Sequence, residues 1–168
     1  MKAVVVYESH WGNTASIARA IAEGLGPDTP VLATDEAPGS ALADADLIVA
    51  GAPVIAFRLA TDSMRERIAD DAKNAPDKPD LTHPSMRDWL ERIPAGKGLG
   101  AAFETRLHWS PGGATGAIER GLGAAGYRRV AKGRKFFVTG SQGPLRDGEL
   151  EAARAWGSEL ARSVQAMA

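Results

Sequence analysis

The stretch VVVYESHWGNTASIARAIAEGL, residues 4–25, joins an apolar run to a helical pattern through a short polar turn. The run is continuous and rich in β-branched residues, which is typical of a strand buried on both faces of a parallel sheet. Apolar residues then recur at helical spacing up to Leu25, where GPDTP ends the pattern. We therefore predict a strand over Lys2–Tyr7 and a helix over Asn13–Leu25, joined by the turn ESHWGNT.

The same alternation of strand and helix continues along the chain. Strand patterns occur at Val31–Thr34, from Asp46 (DLIVAGAP), from Gly98 (GLGAAFETR) and from Arg134 (RKFFVTG). Helical patterns occur at 41–45, 61–71, 85–93, 112–126 and 147–164. Because right-handed crossovers place helices on both faces of a parallel sheet, this alternation predicts an α/β fold with a covered parallel sheet.

Sheets of this kind bind ligands outside the carboxyl ends of their strands. This rule selects the loops ESHWGNT, APVIAFRL, ETRLHWSPGG and GSQGPLRDG, which follow the first, third, fourth and fifth strands. The segment at about 72–84 contains three prolines and almost no apolar side chains. We predict a surface excursion there.

Composition limits the possible functions. The length of 168 residues suits a single domain, residues 1–168, and 44% hydrophobic with 24% charged residues is ordinary for a globular protein. The chain has no cysteine, so thiol chemistry is excluded and any redox chemistry needs a bound cofactor. A net charge of −1 disfavours nucleic-acid and anionic membrane partners. Since the chain shows no long apolar run and no signal pattern, we expect a cytoplasmic protein.

The turn after the first strand places Ser9, Gly12, Asn13 and Thr14 at the opening of a helix. Free backbone N–H groups and the helix dipole favour an anion there, and a phosphate monoester fits. The loop has no lysine, so it lacks the P-loop pattern that binds a nucleoside triphosphate. The alternative is an ordinary helix N-cap, with Asn13 or Thr14 capping and no ligand bound.

This stretch resembles the phosphate-binding loop of the flavodoxin family, whose pattern after the first strand is Ser/Thr-x-Thr-Gly-x-Thr. Ser9, Gly12 and Thr14 lie on the pattern, and the resemblance extends from Met1 to about Trp156. The stretches DADLIVAGAPV, KGLGAAFETR and FFVTGSQGPLRDGELEAARAWG are similar to the family's third-strand loop, fourth strand, and fifth strand with last helix. The resemblance implies a three-layer, doubly wound, five-stranded parallel sheet of strand order 2-1-3-4-5.

By the same resemblance the ligand is FMN, with its phosphate on residues 9–14 and its isoalloxazine ring between the third-strand and fourth-strand loops. The implied cofactor-binding residues are Ser9, His10, Trp11, Gly12, Asn13, Thr14, Pro53, Val54, Phe57, Thr105, Arg106 and Trp109. Trp11 stands where the pattern has a Thr, so one hydroxyl contact is missing. Phe57 and Trp109 are the only aromatic residues in the ring-facing loops; either could stack on the ring, or belong to the core or cover the sheet edge.

Two arginines, Arg58 and Arg106, lie in the ring-facing loops. A guanidinium beside the ring would stabilise the reduced anion and raise the reduction potential, which argues against a strongly reducing shuttle. The alternative is that both side chains face solvent or pair with Glu104 or Asp62.

Neither a metal site nor a receiver domain is predicted. His10 and His108 lie in loops that should converge. The chain has no cysteine, and no acidic residue lies at a spacing typical of metal ligands. We therefore expect both histidines to be exposed or to lie at the ring edge. A receiver domain shares this fold but needs a phosphoacceptor Asp at the end of the third strand, where the sequence is Ala50-Gly51-Ala52.

The sequence therefore favours an FMN-binding protein that transfers electrons to an unidentified redox partner protein or small acceptor. No side chain has an obvious role as a catalytic acid or base, so an electron carrier is preferred over an enzyme. An FMN-dependent NAD(P)H:quinone-type reductase is the enzyme alternative. A cofactor-free interaction module is the third hypothesis, and Trp11 is its main support.

Overall fold

The computed structural model describes all 168 residues. Strands and helices alternate along most of the chain. The elements are β1 (Ala3–Tyr7), α1 (Asn13–Leu25), β2 (Val31–Ala33), α2 (Gly39–Leu42), β3 (Leu47–Ile55), β4 (Arg58–Leu59), α3 (Asp62–Asp71), α4 (Met86–Arg92), β5 (Leu99–Leu107), α5 (Thr115–Ala124), β6 (Arg128–Arg129), β7 (Arg134–Val138) and α6 (Glu149–Met167).

One parallel sheet has the order β2-β1-β3-β5, and β6 and β7 share the edge beside β5. The short strand β6 pairs with Leu99 and Gly100 at the start of β5, whereas β7 pairs with Phe103–Leu107 at its end. Counted by position in the sheet, the order is 2-1-3-4-5, so the predicted fold class is confirmed. The strand β4 folds back on β3 as an antiparallel hairpin that the sequence pattern did not predict.

Two apolar cores flank the sheet. On one face, Val5 and Phe103 pack with Ile21 of α1 and Trp156 of α6. On the other face, Val4 and Val6 belong to a core with residues of α4 and α5, including Trp89, Ile118 and Leu122. Successive residues of β1 thus serve opposite cores, which is why the strand reads as a continuous apolar run.

Helices α1 and α6 approach each other closely at Gly24 and Gly157. A Cβ atom at Gly24 would lie 2.0 Å from the carbonyl oxygen of Arg154, and one at Gly157 would lie 2.2 Å from that of Ile21. Both distances are far inside van der Waals contact, so a side chain at either position would push the two backbones apart.

Helix boundaries differ from the predicted ones where the backbone must turn. Helix α2 occupies Gly39–Leu42 rather than 41–45, because it begins after Pro38 and the chain then re-enters the sheet, with Asp46 N donating to Lys2 O. Helix α5 occupies Thr115–Ala124 rather than 112–126, since Gly112 and Gly126 have φ values of 72° and 96°, which no helix accommodates.

The segment 73–84 has mostly exposed side chains, but His83 within it is buried. The segment is attached to the loop after β1: Asp80 N donates to His10 O at 2.8 Å, and Ser9 N donates to His83 Nε2 at 3.2 Å. None of the helices has the combination of length and hydropathy that a membrane span requires.

We expect Gly157→Ala to lower the free energy of unfolding by about 1–3 kcal/mol, because overpacking forces α1 and α6 apart. Gly123→Ala in α5 is the matched control, since a Cβ atom there meets nothing within 4 Å. The control should be neutral or stabilise by up to about 1 kcal/mol through helix propensity. Urea titrations measure both values, and equal effects of the two substitutions would contradict the packing argument.

Candidate functional site

A cavity of about 530 Å³ opens at the carboxyl ends of β1, β3, β5 and β7. The loops after these strands form most of its wall, and Ile68, Ala72 and Ala75 close one side. Small-molecule sites usually occupy roughly 300–1,000 Å³, so the volume is typical of one. The cavity also lies where the connections from β1 and β3 lead to opposite faces of the sheet, which is the usual ligand position in open α/β folds.

All of the predicted cofactor-binding residues except Ser9 and Gly12 line this cavity. The lining members are His10, Trp11, Asn13, Thr14, Pro53, Val54, Phe57, Thr105, Arg106 and Trp109. Ser9 and Gly12 border an adjoining open depression, together with Trp11 and Arg19. The sequence interpretation missed the wall formed by Ile68, Ala72 and Ala75, because nothing in their pattern distinguishes a cavity wall from an exposed helix.

The loop after β1 presents unpartnered backbone donors at the start of α1. Gly12 adopts a left-handed conformation (φ 90°) immediately before the helix, and the Ser9 hydroxyl oxygen accepts from Gly12 N at 3.1 Å and Ala15 N at 3.3 Å. Neither Asn13 nor Thr14 caps the helix, so the alternative of an ordinary N-cap at these residues is wrong. The N–H groups of Asn13 and Thr14 belong to the first helical turn, where backbone donors lack intrahelical partners.

The hydroxyl groups of Thr14 and Thr105 lie 2.8 Å apart, and both residues are buried. This bond joins the loop after β1 to β5 across the floor of the cavity. Since one hydroxyl donates to the other, the accepting hydroxyl keeps its own hydrogen for a further partner. The pair therefore supplies one side-chain donor to the cavity in addition to the backbone N–H groups.

The side chain of Arg106 is buried and paired with Glu104 at 2.9 Å, and it also donates to Gly112 O at 2.8 Å. Of the alternatives given for Arg106, pairing with Glu104 is therefore correct. The ion pair lies in the interior of the protein and not at its surface. Because the carboxylate neutralises the guanidinium at contact distance, the expected rise in reduction potential from Arg106 is largely cancelled. Arg58 is exposed and has no acidic partner within 4 Å.

The two aromatic residues of the ring-facing loops lie at the mouth of the cavity, with Phe57 52% exposed and Trp109 73% exposed. The core alternative for Phe57 is therefore wrong. Phe57 and Ala56 have φ values of 70° and 43°, which the tight β3–β4 turn imposes on them. Phe57 O accepts from Gly113 N at 3.0 Å, so the loops after β3 and β5 are tied together there.

A buried charged cluster beneath the loop after β1 was not predicted. The Glu8 carboxylate is fully buried, contacts His10 Nε2 at 2.6 Å, accepts from Met86 N at 2.8 Å and lies 3.5 Å from Arg65 Nε. Burial alone would raise the pKa of Glu8, but the hydrogen bonds from His10 and Met86 and the charge of Arg65 together lower the pKa below its ordinary value. Glu8 is therefore ionised at neutral pH and joins the loop to α3 and α4.

The two loop histidines occupy different environments. His10 is buried against Glu8 and lines the cavity, so the exposed alternative is wrong for it while a place at the ring edge stays a prediction, and its Nδ1 has no partner. His108 is exposed and packs edge-on against Phe137, with ring centroids 5.4 Å apart. No group of three or more His, Cys, Asp or Glu side chains is arranged to hold a metal ion.

Comparison with solved structures identifies the fold as flavodoxin-like. A flavodoxin from the domain Archaea superposes with a TM-score of 0.67 at 23% identity, covering 98% of this chain and 99% of that one. Flavodoxin 1 from Bacillus cereus gives 0.63 at 21% identity, covering 96% and 98%. The flavodoxin, WrbA-like protein from Agrobacterium tumefaciens gives 0.58 at 19% identity, covering 98% of each chain. No protein-family model and no curated protein sequence matches this chain.

We expect Glu8→Gln to lower the free energy of unfolding at pH 7 by about 1–3 kcal/mol, since the neutral amide makes weaker hydrogen bonds in the same place. The folded-state pKa of Glu8 is depressed, so its contribution is complete above the unfolded pKa, near 4.5, and is lost as pH falls through the lower folded pKa. The difference between wild type and variant should therefore shrink below about pH 4.5.

Urea titrations across this pH range measure the difference. Glu159→Gln, at an exposed position of α6, is the control and should change the free energy of unfolding by less than about 0.5 kcal/mol. A Glu8→Gln effect that is the same at pH 3 and pH 7 would contradict an ionised Glu8.

Proposed function

We propose that the protein binds FMN in this cavity and transfers electrons through it. The observation that carries the proposal is the position of the unpartnered N–H groups at the start of α1, at one end of a cavity whose mouth holds two exposed aromatic residues. A phosphate monoester suits the first feature and a flat aromatic ring suits the second. The flavodoxins among the similar structures support the same ligand.

The residues present fit the phosphate despite Trp11. The hydroxyl that the family pattern supplies at this position is missing, but the backbone N–H groups of Asn13 and Thr14 and one hydroxyl of the Thr14–Thr105 pair remain as donors. Backbone donors at a helix start are sufficient for many phosphate sites. Trp11 then borders the phosphate end of the cavity as an apolar wall.

The isoalloxazine ring would lie between the loops after β3 and β5, where Phe57 and Trp109 can cover it. When bound, FMN accepts and releases one or two electrons at this ring. The chain's own contribution is to hold the ring at an exposed mouth, to exclude water from its inner side and to set the charge around it. The exposure of Phe57 and Trp109 supports a ring edge that a partner can reach.

The enzyme alternative, an FMN-dependent NAD(P)H:quinone-type reductase, is favoured by one specific observation. Ile68, Ala72 and Ala75 give the cavity a wall that is apolar apart from Asp71, and the apolar part of this wall suits a flat, apolar acceptor. Steady-state oxidation of NAD(P)H in the presence of a quinone distinguishes the two functions, because a pure carrier does not catalyse it unaided.

Incubation with excess FMN, followed by desalting, tests the proposal directly. We expect retained flavin absorption and a higher melting temperature with FMN, since a ligand that binds only the folded state stabilises it. A colourless protein with an unchanged melting temperature would overturn FMN binding and favour the cofactor-free interaction module.

We expect Thr14→Val to weaken FMN binding by roughly tenfold, because it removes a hydroxyl from the phosphate end and leaves Thr105 without its partner. Riboflavin, which has no phosphate, should bind the variant about as well as it binds the parent. Thr14→Ser keeps the hydroxyl and serves as the control. Fluorescence titration measures each affinity, and an equal loss for both flavins would contradict a phosphate site at Thr14.

Arg106 and Glu104 should shift the reduction potential of bound FMN in opposite directions. Arg106→Gln leaves the Glu104 charge uncompensated and lowers the potential, whereas Glu104→Gln leaves the Arg106 charge uncompensated and raises it. With an effective dielectric constant of about 20 for charges in such a site, each shift should be on the order of tens of millivolts. Spectroelectrochemical titration measures the potentials, and shifts of the same sign would contradict this assignment of charge.

A further inference from the structure

Five basic residues form a patch on the edge of the sheet, which we call the basic edge: Arg128, Arg129, Lys132, Arg134 and Lys135. All five side chains are exposed, and no acidic residue interrupts 128–135. Only Arg129 has an acidic partner, Glu119 at 3.3 Å. The formal net charge of the whole chain is −1, so the remainder of the chain, without these five positive charges, carries a formal net charge of about −6.

The β7 end of the basic edge leads toward the cavity, whereas Arg128 and Arg129 lie beside Leu99 and Gly100 at the amino end of β5. Strands β6 and β7 both run parallel to β5, and β7 begins with Arg134 and Lys135 and ends at Val138, which lines the cavity. At about 3.3 Å per residue, Arg134 lies roughly 13 Å along the strand from Val138. Because successive side chains of a strand point to opposite faces, positive charge emerges on both sides of the edge.

Exposed aromatic side chains connect the basic edge to the cavity mouth. His108 packs on Phe137 of β7, which brings the loop after β5 against the edge strand. Trp109 follows in the same loop, and Phe57 is bound to that loop through its carbonyl oxygen and Gly113 N. The surface therefore combines a small apolar centre with a charged flank, which is the usual composition of a transient interface.

We propose that the basic edge, with Trp109 and Phe57, is the docking surface for an acidic electron-transfer protein. This inference rests on the proposed electron transfer through FMN and adds the class of partner. Complementary charge steers such partners and orients them, and electron-transfer complexes commonly use small interfaces of less than about 1,200 Å². Arg134 and Lys135 are the basic residues of this edge nearest to the cavity mouth, and together with Trp109 and Phe57 they suit a contact of that size.

Three other roles could be assigned to the basic edge: protection of the sheet edge, binding of a nucleic acid and binding of a membrane. Each explains fewer of its features than docking of an acidic protein does. Charged side chains on an edge strand discourage pairing with other chains, a role that does not involve Trp109 and Phe57. A long nucleic acid or a membrane would extend past the basic edge onto the acidic remainder of the surface, where it is repelled. A compact acidic protein contacts the edge alone.

Titration of the isotope-labelled chain with an acidic ferredoxin, followed by amide resonances, tests the docking surface without requiring flavin. We expect shifts confined to 128–138, Phe57 and Trp109 at low ionic strength, and weaker binding as salt is added. Arg134→Gln with Lys135→Gln should raise Kd roughly tenfold. Lys2→Gln with Arg162→Gln is the control: it removes the same charge at two exposed positions outside 128–138 and should change Kd less than about twofold.

Equal weakening in the two double variants would overturn the proposal, because net charge alone would then account for binding. Tighter binding of single-stranded oligonucleotide or of phosphatidylserine vesicles to the same residues would also overturn it. Stopped-flow oxidation of the reduced, FMN-loaded protein by the ferredoxin completes the test, with a rate that falls roughly tenfold in the edge variant. Absence of bound FMN would refute the proposed function alone, since the resonance shifts report docking in the colourless chain.

Discussion

The buried carboxylate of Glu104 fixes the geometry on which one half of the cavity depends. It accepts from Ala114 N at 2.6 Å and Thr115 N at 2.9 Å at the start of α5, and it pairs with Arg106. Arg106 in turn donates a hydrogen bond to Gly112 O, and Gly113 N donates one to Phe57 O. A buried carboxylate is tolerated only when its oxygens are fully hydrogen-bonded, so this requirement fixes the start of α5 and the loop that carries Trp109.

Glu8 has the corresponding role on the other side of the cavity. Glu8 directly follows β1, and Glu104 lies near the end of β5. The partners of Glu8 are His10 of the same loop, Arg65 of α3 and Met86 of α4. Helix α3 has no buried residue, so its place beside the cavity depends on Arg65, which reaches Glu8 and the carbonyl oxygens of Leu81 and His83. The polar contacts of Arg65 therefore hold α3, with Ile68, beside the cavity, whereas Ala72, which follows the helix, is itself buried.

Sequence patterns predicted the parts of this fold that depend on local periodicity. The β1 run, the α1 face and the loops at the carboxyl ends all follow from spacing of apolar residues, and the strand order followed from the resemblance of the ESHWGNT loop. The partners of Glu8 and the pairing of Arg106 with Glu104 are set by three-dimensional contacts, which periodicity does not report. The exposure of Phe57 was missed for a similar reason, because the β3–β4 hairpin turns it outward.

The two kinds of charge in the molecule have separate effects. The interior charges near the cavity occur in compensated groups, Glu8 with Arg65 and Glu104 with Arg106, so each pair contributes little net field beyond its immediate neighbours. The basic edge is uncompensated except at Arg129, and its field extends about a Debye length, near 8–10 Å, into solvent. The interior pairs thus determine the shape of the site, whereas the basic edge determines the field outside it. Because the two sets share no residue, changes on the edge can alter this field without disturbing the cavity.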